Sequence, residues 1–219
     1  MNVFISWSGA LGHFSAHLIT ELLKRAFGED VSPYFSPISI QPGEDFFRAN
    51  QKALTSAKFG LILVTRDSLR SHWVSYEAGY LFTARKRNCM ALLLGIDNVD
   101  IAPHPFAHRQ LSQCNAQSLE ALLKTLAAQI PADVAMAPSG FSTVATEFGQ
   151  RLSGLCRADM EVQHAKDEEF GDVFMRDTEL QEACDHLSEA GLTRGEIVNW
   201  MSDLEGIDQT RYAPYLPET

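Results

Sequence analysis

The segment Phe59-Gly60-Leu61-Ile62-Leu63-Val64-Thr65 constrains this chain more than any other, because it carries no charge and only one terminal hydroxyl. A strand with one wet face alternates polar and apolar residues; a strand apolar on both faces must be covered on both. The flanking sequence supplies the covers. A helical pattern over about 45–56 precedes it, with Phe46, Ala49, Ala53 and Leu54 available for burial, and another follows over about 72–87, with Arg85, Lys86 and Arg87 at its negative end. The same unit opens the chain. Val3-Phe4-Ile5-Ser6-Trp7 is a short apolar run, and Phe14, Leu18, Leu22 and Ala26 then recur every four residues until Gly28. Val31–Phe35 reads as a strand placed at an edge by Pro33, which has no N–H to donate. Met90–Gly95 reads as a further strand, and a short fifth lies near 107–112. Leu119, Leu122, Leu123 and Leu126 then mark a helix. Strands alternating with helices predict a parallel sheet with helices on both faces and right-handed crossovers.

The remaining chain reads differently. Residues 131–140, Pro-Ala-Asp-Val-Ala-Met-Ala-Pro-Ser-Gly, look like a linker. Helical patterns follow over 141–158 and 178–190, and Gly191 closes the second. Thr193 and Glu196 form a capping box for a last amphipathic helix bearing Ile197, Trp200, Met201 and Leu204, and Pro214 and Pro217 end the pattern. The expected organisation is a domain over 1–130, a linker over 131–140 and an acidic helical extension over 141–219. Charge draws a similar line: residues 1–158 hold 14 Lys/Arg and 12 Asp/Glu, residues 159–219 hold 4 and 16. A tail this acidic is a poor partner for phosphate backbones, so no nucleic-acid role is expected. No apolar run approaches the roughly 20 residues that span a bilayer. The N-terminus lacks a basic-then-apolar leader, so no membrane and a cytoplasmic location are expected. Cys89, Cys114, Cys156 and Cys184 are too widely spaced for a zinc knuckle and read as ordinary thiols.

In an open parallel sheet, ligands bind beyond the C-terminal ends of the strands, where strand order reverses. The residues to inspect are Ser6, Trp7, Ser8 and Gly9 after the first strand, and Phe35, Ser36 and Pro37 at the end of the second. After the third comes Thr65-Arg66-Asp67-Ser68, leading to Trp73 and Glu77. The phosphate loop G-x-x-x-x-G-K-[ST], the dinucleotide fingerprint G-x-G-x-x-G and the G-x-S-x-G elbow are all missing. His104 lies between Pro103 and Pro105, which separates it from His108, so the two make a poor helical metal pair. Trp73 and Glu77, four apart, share a helix face. A flat ring beside a carboxylate suits a ribose-containing substrate, because the carboxylate binds hydroxyls and stabilises an oxocarbenium-like transition state. On spacing alone, the ordinary reading is the stronger one: a core tryptophan and a solvated glutamate.

The order of segments changes the weighting. "VFISWSG", then "SPYFSPISIQPGEDF", then "ALTSAKFGLILVTRDSLRSHWVSYEAGYLF" resembles the bacterial Toll/interleukin-1 receptor (TIR) domain family over about residues 1–130. The resemblance implies a flavodoxin-like fold with a five-stranded parallel sheet. It implies an NAD⁺ glycohydrolase or cyclase of the kind found in bacterial anti-phage signalling, with NAD⁺ as substrate and no cofactor or metal. The family's catalytic glutamate, in its W-x-x-x-E motif, maps onto Glu77 and the tryptophan onto Trp73. The end of the first strand maps onto Ser6, Trp7 and Ser8, and the substrate-flanking loop onto Ser36 to Gly43, with Phe35, Ser36 and Pro37 taken as substrate-binding residues. Self-association and a downstream effector responding to the nucleotide product are implied partners. The alternatives are a non-enzymatic TIR–TIR adaptor and a related flavodoxin-like enzyme such as a nucleoside deoxyribosyltransferase. Basic residues that some members carry before the second helix are absent, since Glu44 and Asp45 stand there, which leaves the pyrophosphate without an assigned partner. The acidic extension reads either as a helical cap or as an assembly element.

Overall fold

A computed structural model of the chain describes residues 1–35, 46–83, 88–97, 101, 104, 106, 111–130, 138–165, 177–202 and 209–217. Five strands, β1 (Asn2–Ser6), β2 (Ser32–Tyr34), β3 (Phe59–Val64), β4 (Asn88–Leu93) and β5 (Leu111–Gln113), form one all-parallel sheet in the order β2-β1-β3-β4-β5. The apolar run takes the central place: every residue of β3 is buried. β2 lies at the edge, where the missing N–H of Pro33 does least harm. The fold is therefore the expected flavodoxin-like one.

The helices are α1 (Gly9–Phe27), α2 (Phe46–Ser56), α3 (Arg66–Arg70), α4 (His72–Thr83), α5 (Ala116–Ala127), α6 (Pro138–Ala165), α7 (Asp177–Glu189), α8 (Arg194–Ser202) and α9 (Gln209–Tyr212). The chain leaves β1 toward β2 through α1, but returns to β3 through α2 and goes on to β4 through α3 and α4. With right-handed crossovers, α1 must lie on one face and α2 and α4 on the other. The packing agrees. Phe4, Ile62, Val64, Ala91 and Leu93 cluster with Leu54 of α2 and with Val74, Ala78 and Leu81 of α4. Gly60 makes the approach of α4 close, because a Cβ there would sit 2.8 Å from Leu81.

Several boundaries differ from the sequence reading. α1 begins at Gly9 and takes both early glycines into its first turn; Gly28, at φ +56°, ends it. Trp7 lies beyond β1. The short α3 was not foreseen. Thr65 ends the apolar run but serves as its N-cap, in a reciprocal capping box with Ser68. Residues 138–140, expected in the linker, are the first turn of a 28-residue helix that starts with Pro138, a residue suited to that position. Residues 131–137, Arg85 to Arg87, the side chain of Phe46, residues 107–110 of the expected fifth strand, and Leu204 lie outside the described residues.

The chain divides into two compact units, Met1–Gly149 and Gln150–Thr219. The first takes in the start of α6, where the Phe141 ring lies 5.7 Å from that of Phe27 and Glu147 accepts a 2.6 Å hydrogen bond from Arg25. The second has its own apolar interior, including Leu180, Leu187, Trp200, Met201 and Tyr212. Gly191, at φ +83°, closes α7. The predicted capping box forms: Glu196 accepts from the Thr193 backbone N–H at 2.8 Å and from its hydroxyl at 2.7 Å. Cys184 is buried and the other three cysteines are half-buried. Among the described residues no helix is long and apolar enough to cross a membrane.

Candidate active site

Side chains alternate along a strand, so Ser6 at the end of β1 points to the same side as Phe4, toward α2 and α4. There it meets Glu77. Ser6 Oγ donates to Glu77 Oε2 at 2.5 Å, and Asn50 Nδ2 of α2 donates to Oε1 at 2.7 Å. The Trp73 side chain, one turn earlier in α4, bonds to the same carboxylate. All this happens at the C-terminal edge of the sheet beside the β1/β3 boundary, where the direction of chain progression reverses.

The carboxylate is deeply buried: Glu77 is 3% exposed, Asn50 2% and Ser6 1%. Burial pushes the Glu77 carboxyl above its ordinary value of 4.5, because a charge taken from water loses its hydration. The bonds from Ser6, Asn50 and Trp73 pull the other way, and burial prevails. A buried carboxylate held by neutral donors in a sheet-edge crevice has the physical marks of a functional group. It is also not the solvated helical residue that spacing alone favoured. Trp73 likewise is half-buried, not a core residue, with its ring 6.0 Å from Phe47 and 5.7 Å from Tyr76.

The other residues singled out by sequence take separate places. Trp7 and Phe35 cluster with His13 of α1, the three rings tilted to one another with centroids 5.1 to 5.4 Å apart. This aromatic group begins one residue past Ser6. Ser8 is the N-cap residue of α1, and its carbonyl accepts a 3.4 Å bond from the Thr65 hydroxyl. Gly9 follows at φ +74°, so tightly covered by the Asp67 carboxylate that a Cβ there would fall 1.9 Å from Oδ2. Ser36, Pro37 and the rest of their loop to Gly43 lie outside the described residues, as does His108. Among the described residues no three His, Cys, Asp or Glu side chains are grouped to hold a metal ion.

Sequence reasoning missed Asn50 and His13. For Asn50 a signal existed: it falls on the same stripe of α2 as Ala53 and Leu54, and a lone polar residue on a buried apolar face is the informative exception. His13 carried no comparable signal, since its contacts depend on where β2 delivers Phe35.

Comparison with curated proteins returned no match to this chain. A family model described as TIR domain matches residues 3–126, which spans every strand of the sheet, α1 to α4 and nearly all of α5. By that match, and by the sheet order that accompanies it, the chain belongs to the TIR-domain family.

Proposed function

We propose that the chain is a TIR-type NAD⁺ glycohydrolase or cyclase with Glu77 as its catalytic carboxylate. The observation that carries the reading is the 3%-exposed carboxylate at the strand-order reversal, bonded by Ser6 and Asn50. A carboxylate accepts hydrogen bonds only, so its remaining lone pairs suit the hydroxyls of a ribose. The reaction needs no strong acid. As the bond between the ribose anomeric carbon and nicotinamide breaks, its electron pair goes to the ring nitrogen and cancels the positive charge there. The cationic sugar that develops is stabilised by the Glu77 carboxylate. Attack by water, with loss of its proton, gives ADP-ribose. Attack by a nitrogen of the same molecule gives a cyclic isomer, and attack by an added nucleophile gives a conjugate. The pyridinium ring of nicotinamide and its ribose would lie among Ser6, Trp7, Ser8, Phe35, Ser36, Pro37 and Trp73.

Self-association through the TIR domain, a downstream effector that reads the product, and a place in bacterial anti-phage signalling belong to the same reading. The half-exposed Phe47 and Tyr76 favour a second one, a TIR–TIR interaction module, since large exposed apolar side chains mark contact surfaces. Chromatography of NAD⁺ incubated with the full chain at high protein concentration, with and without a crowding agent, separates the two. Release of nicotinamide supports the enzyme; intact NAD⁺ throughout supports the interaction module. Because the reaction uses the ionised carboxylate and burial raises its titration, release should fall away in acid at a pH above the ordinary carboxylate range.

A further inference from the structure

Asn50 belongs to neither the family motif nor the aromatic group, yet it brings α2 to the carboxylate. A carboxylate cannot donate, so it is the amide nitrogen of Asn50, not its oxygen, that faces Glu77 Oε1. Ser6 comes from β1 and holds the other oxygen. Ser6 and Asn50, from two different elements, each hold one oxygen and so pin the plane of the carboxylate from both sides, with Trp73 as a third donor. Among the described residues the groups bonded to Glu77 are Ser6, Asn50 and Trp73, none of which carries a charge. Neutral donors orient a carboxylate without neutralising it, which leaves its negative charge for a cationic transition state.

We infer that Asn50 is a positioning residue: its amide locks Glu77 Oε1 so that the carboxylate meets the ribose in a single orientation and as the anion. The inference rests on Glu77 being the catalytic carboxylate, but its first consequence can be read without turnover. Removing one charge-assisted hydrogen bond from a buried carboxylate should raise its titration midpoint by about one pH unit or slightly more. It should lower kcat about tenfold and leave KM for NAD⁺ within about twofold, because the lost effect is orientation of the reacting group and not uniform binding.

The test uses the full chain with ¹³C-labelled glutamate, and assigns the Glu77 carboxyl signal by its loss in Glu77→Gln. Asn50→Leu keeps the volume and removes the donor. Asn50→Asp keeps the shape should the first variant fail to fold, and places a second carboxyl beside the first, so the pair should hold a proton to still higher pH. A raised Glu77 midpoint in folded Asn50→Leu supports the inference and one within about 0.2 units of the parent chain overturns it; should only Asn50→Asp fold, whose added charge raises the midpoint by itself, an unraised midpoint overturns the inference and a roughly tenfold loss of kcat at unchanged KM supports it. The kinetic arm separates the two levels. A raised midpoint in a chain that releases no nicotinamide at any concentration upholds the positioning of Glu77 and sinks its catalytic role. Nicotinamide release that depends on Glu77 but is indifferent to Asn50→Leu and Asn50→Asp sinks the positioning role alone.

Discussion

Among the described residues two acids are buried, one in each compact unit, and their surroundings differ. Asp159 in the second unit is 9% exposed and accepts a 3.4 Å bond from Gln163, one turn along its own helix. Glu77 in the first is 3% exposed and accepts its two short bonds from residues 71 and 27 positions away. A contact of the first kind exists as soon as a helix forms. A contact of the second kind exists only once β1, α2 and α4 have been brought together by the sheet. The difference recurs across the two units. Of the seven buried polar residues described in the first unit, Ser6, Asn50, Thr65, Ser68 and Glu77 lie at or near the C-terminal edge of the sheet, and Ser15 and Thr20 lie within α1. The interior of the second is led by Trp200, Met201 and Tyr212. Charge follows the same division: Met1–Gly149 carries 12 cationic and 12 acidic residues, and Gln150–Thr219 carries 6 and 16. The net charge of −10 is therefore a property of the extension and says little about what the sheet-bearing unit binds.

If the extension is held by apolar packing and the sheet edge by polar geometry, substitutions should separate stability from activity. The largest expected effect is in the extension. Trp200→Ala removes a 1%-exposed indole and should cost about 3–5 kcal/mol in that unit, read as a lowered calorimetric transition. Loss of the Glu77 carboxyl NMR signature in the same variant would break the comparison. At the sheet edge, Gly9→Ala imposes a side chain at φ +74° and drives a Cβ into Asp67. It should cost at least about 1–2 kcal/mol from the backbone alone and disturb the strand end that carries Ser6, so melting temperature and activity should fall together. Asp67→Ala in the same chain should relieve the collision but not the backbone strain.

Glu77→Gln should do the opposite and stabilise the protein at neutral pH. Burial raises the carboxyl above 4.5, so the folded chain binds the proton more tightly than the unfolded chain. The stabilisation this gives is complete below about 4.5 and is lost as pH rises through the folded value. The variant's advantage in thermal melting should therefore appear at neutral pH and shrink toward pH 4. A difference independent of pH would show that the buried charge is not its source. The smallest effect should come from Arg157→Ala, which breaks the half-exposed 3.1 Å pair with Glu189 and should change stability by less than about 1 kcal/mol.

The two kinds of contact also explain what the sequence made legible. β3 and the stripe of α1 are periodic patterns in neighbouring residues, and both could be read directly. So could the Thr193–Glu196 capping box and the edge position of Pro33, because each is a local rule of hydrogen bonding. Trp73 and Glu77 could be placed on one face by spacing, but nothing local said that the face would be buried. That depended on Ser6 and Asn50 arriving from elsewhere; for Ser6, its place at a strand end and the resemblance of ordered motifs both pointed to the site. Asn50 was hidden by its setting in an otherwise apolar stripe. The start of α6 was misread for the reverse reason: Pro138 and its small neighbours have the composition of a linker, but proline in the first turn of a helix loses no hydrogen bond.

The most direct measurement is the rate of nicotinamide release from NAD⁺ by the parent chain and by Glu77→Gln, at matched high protein concentration and with thermal melts confirming that both are folded. A carboxylate that stabilises the developing sugar cation predicts a loss of about 100- to 1000-fold in the variant. Equal rates in the two proteins, or no release by either, would contradict the assignment of Glu77 as the catalytic group.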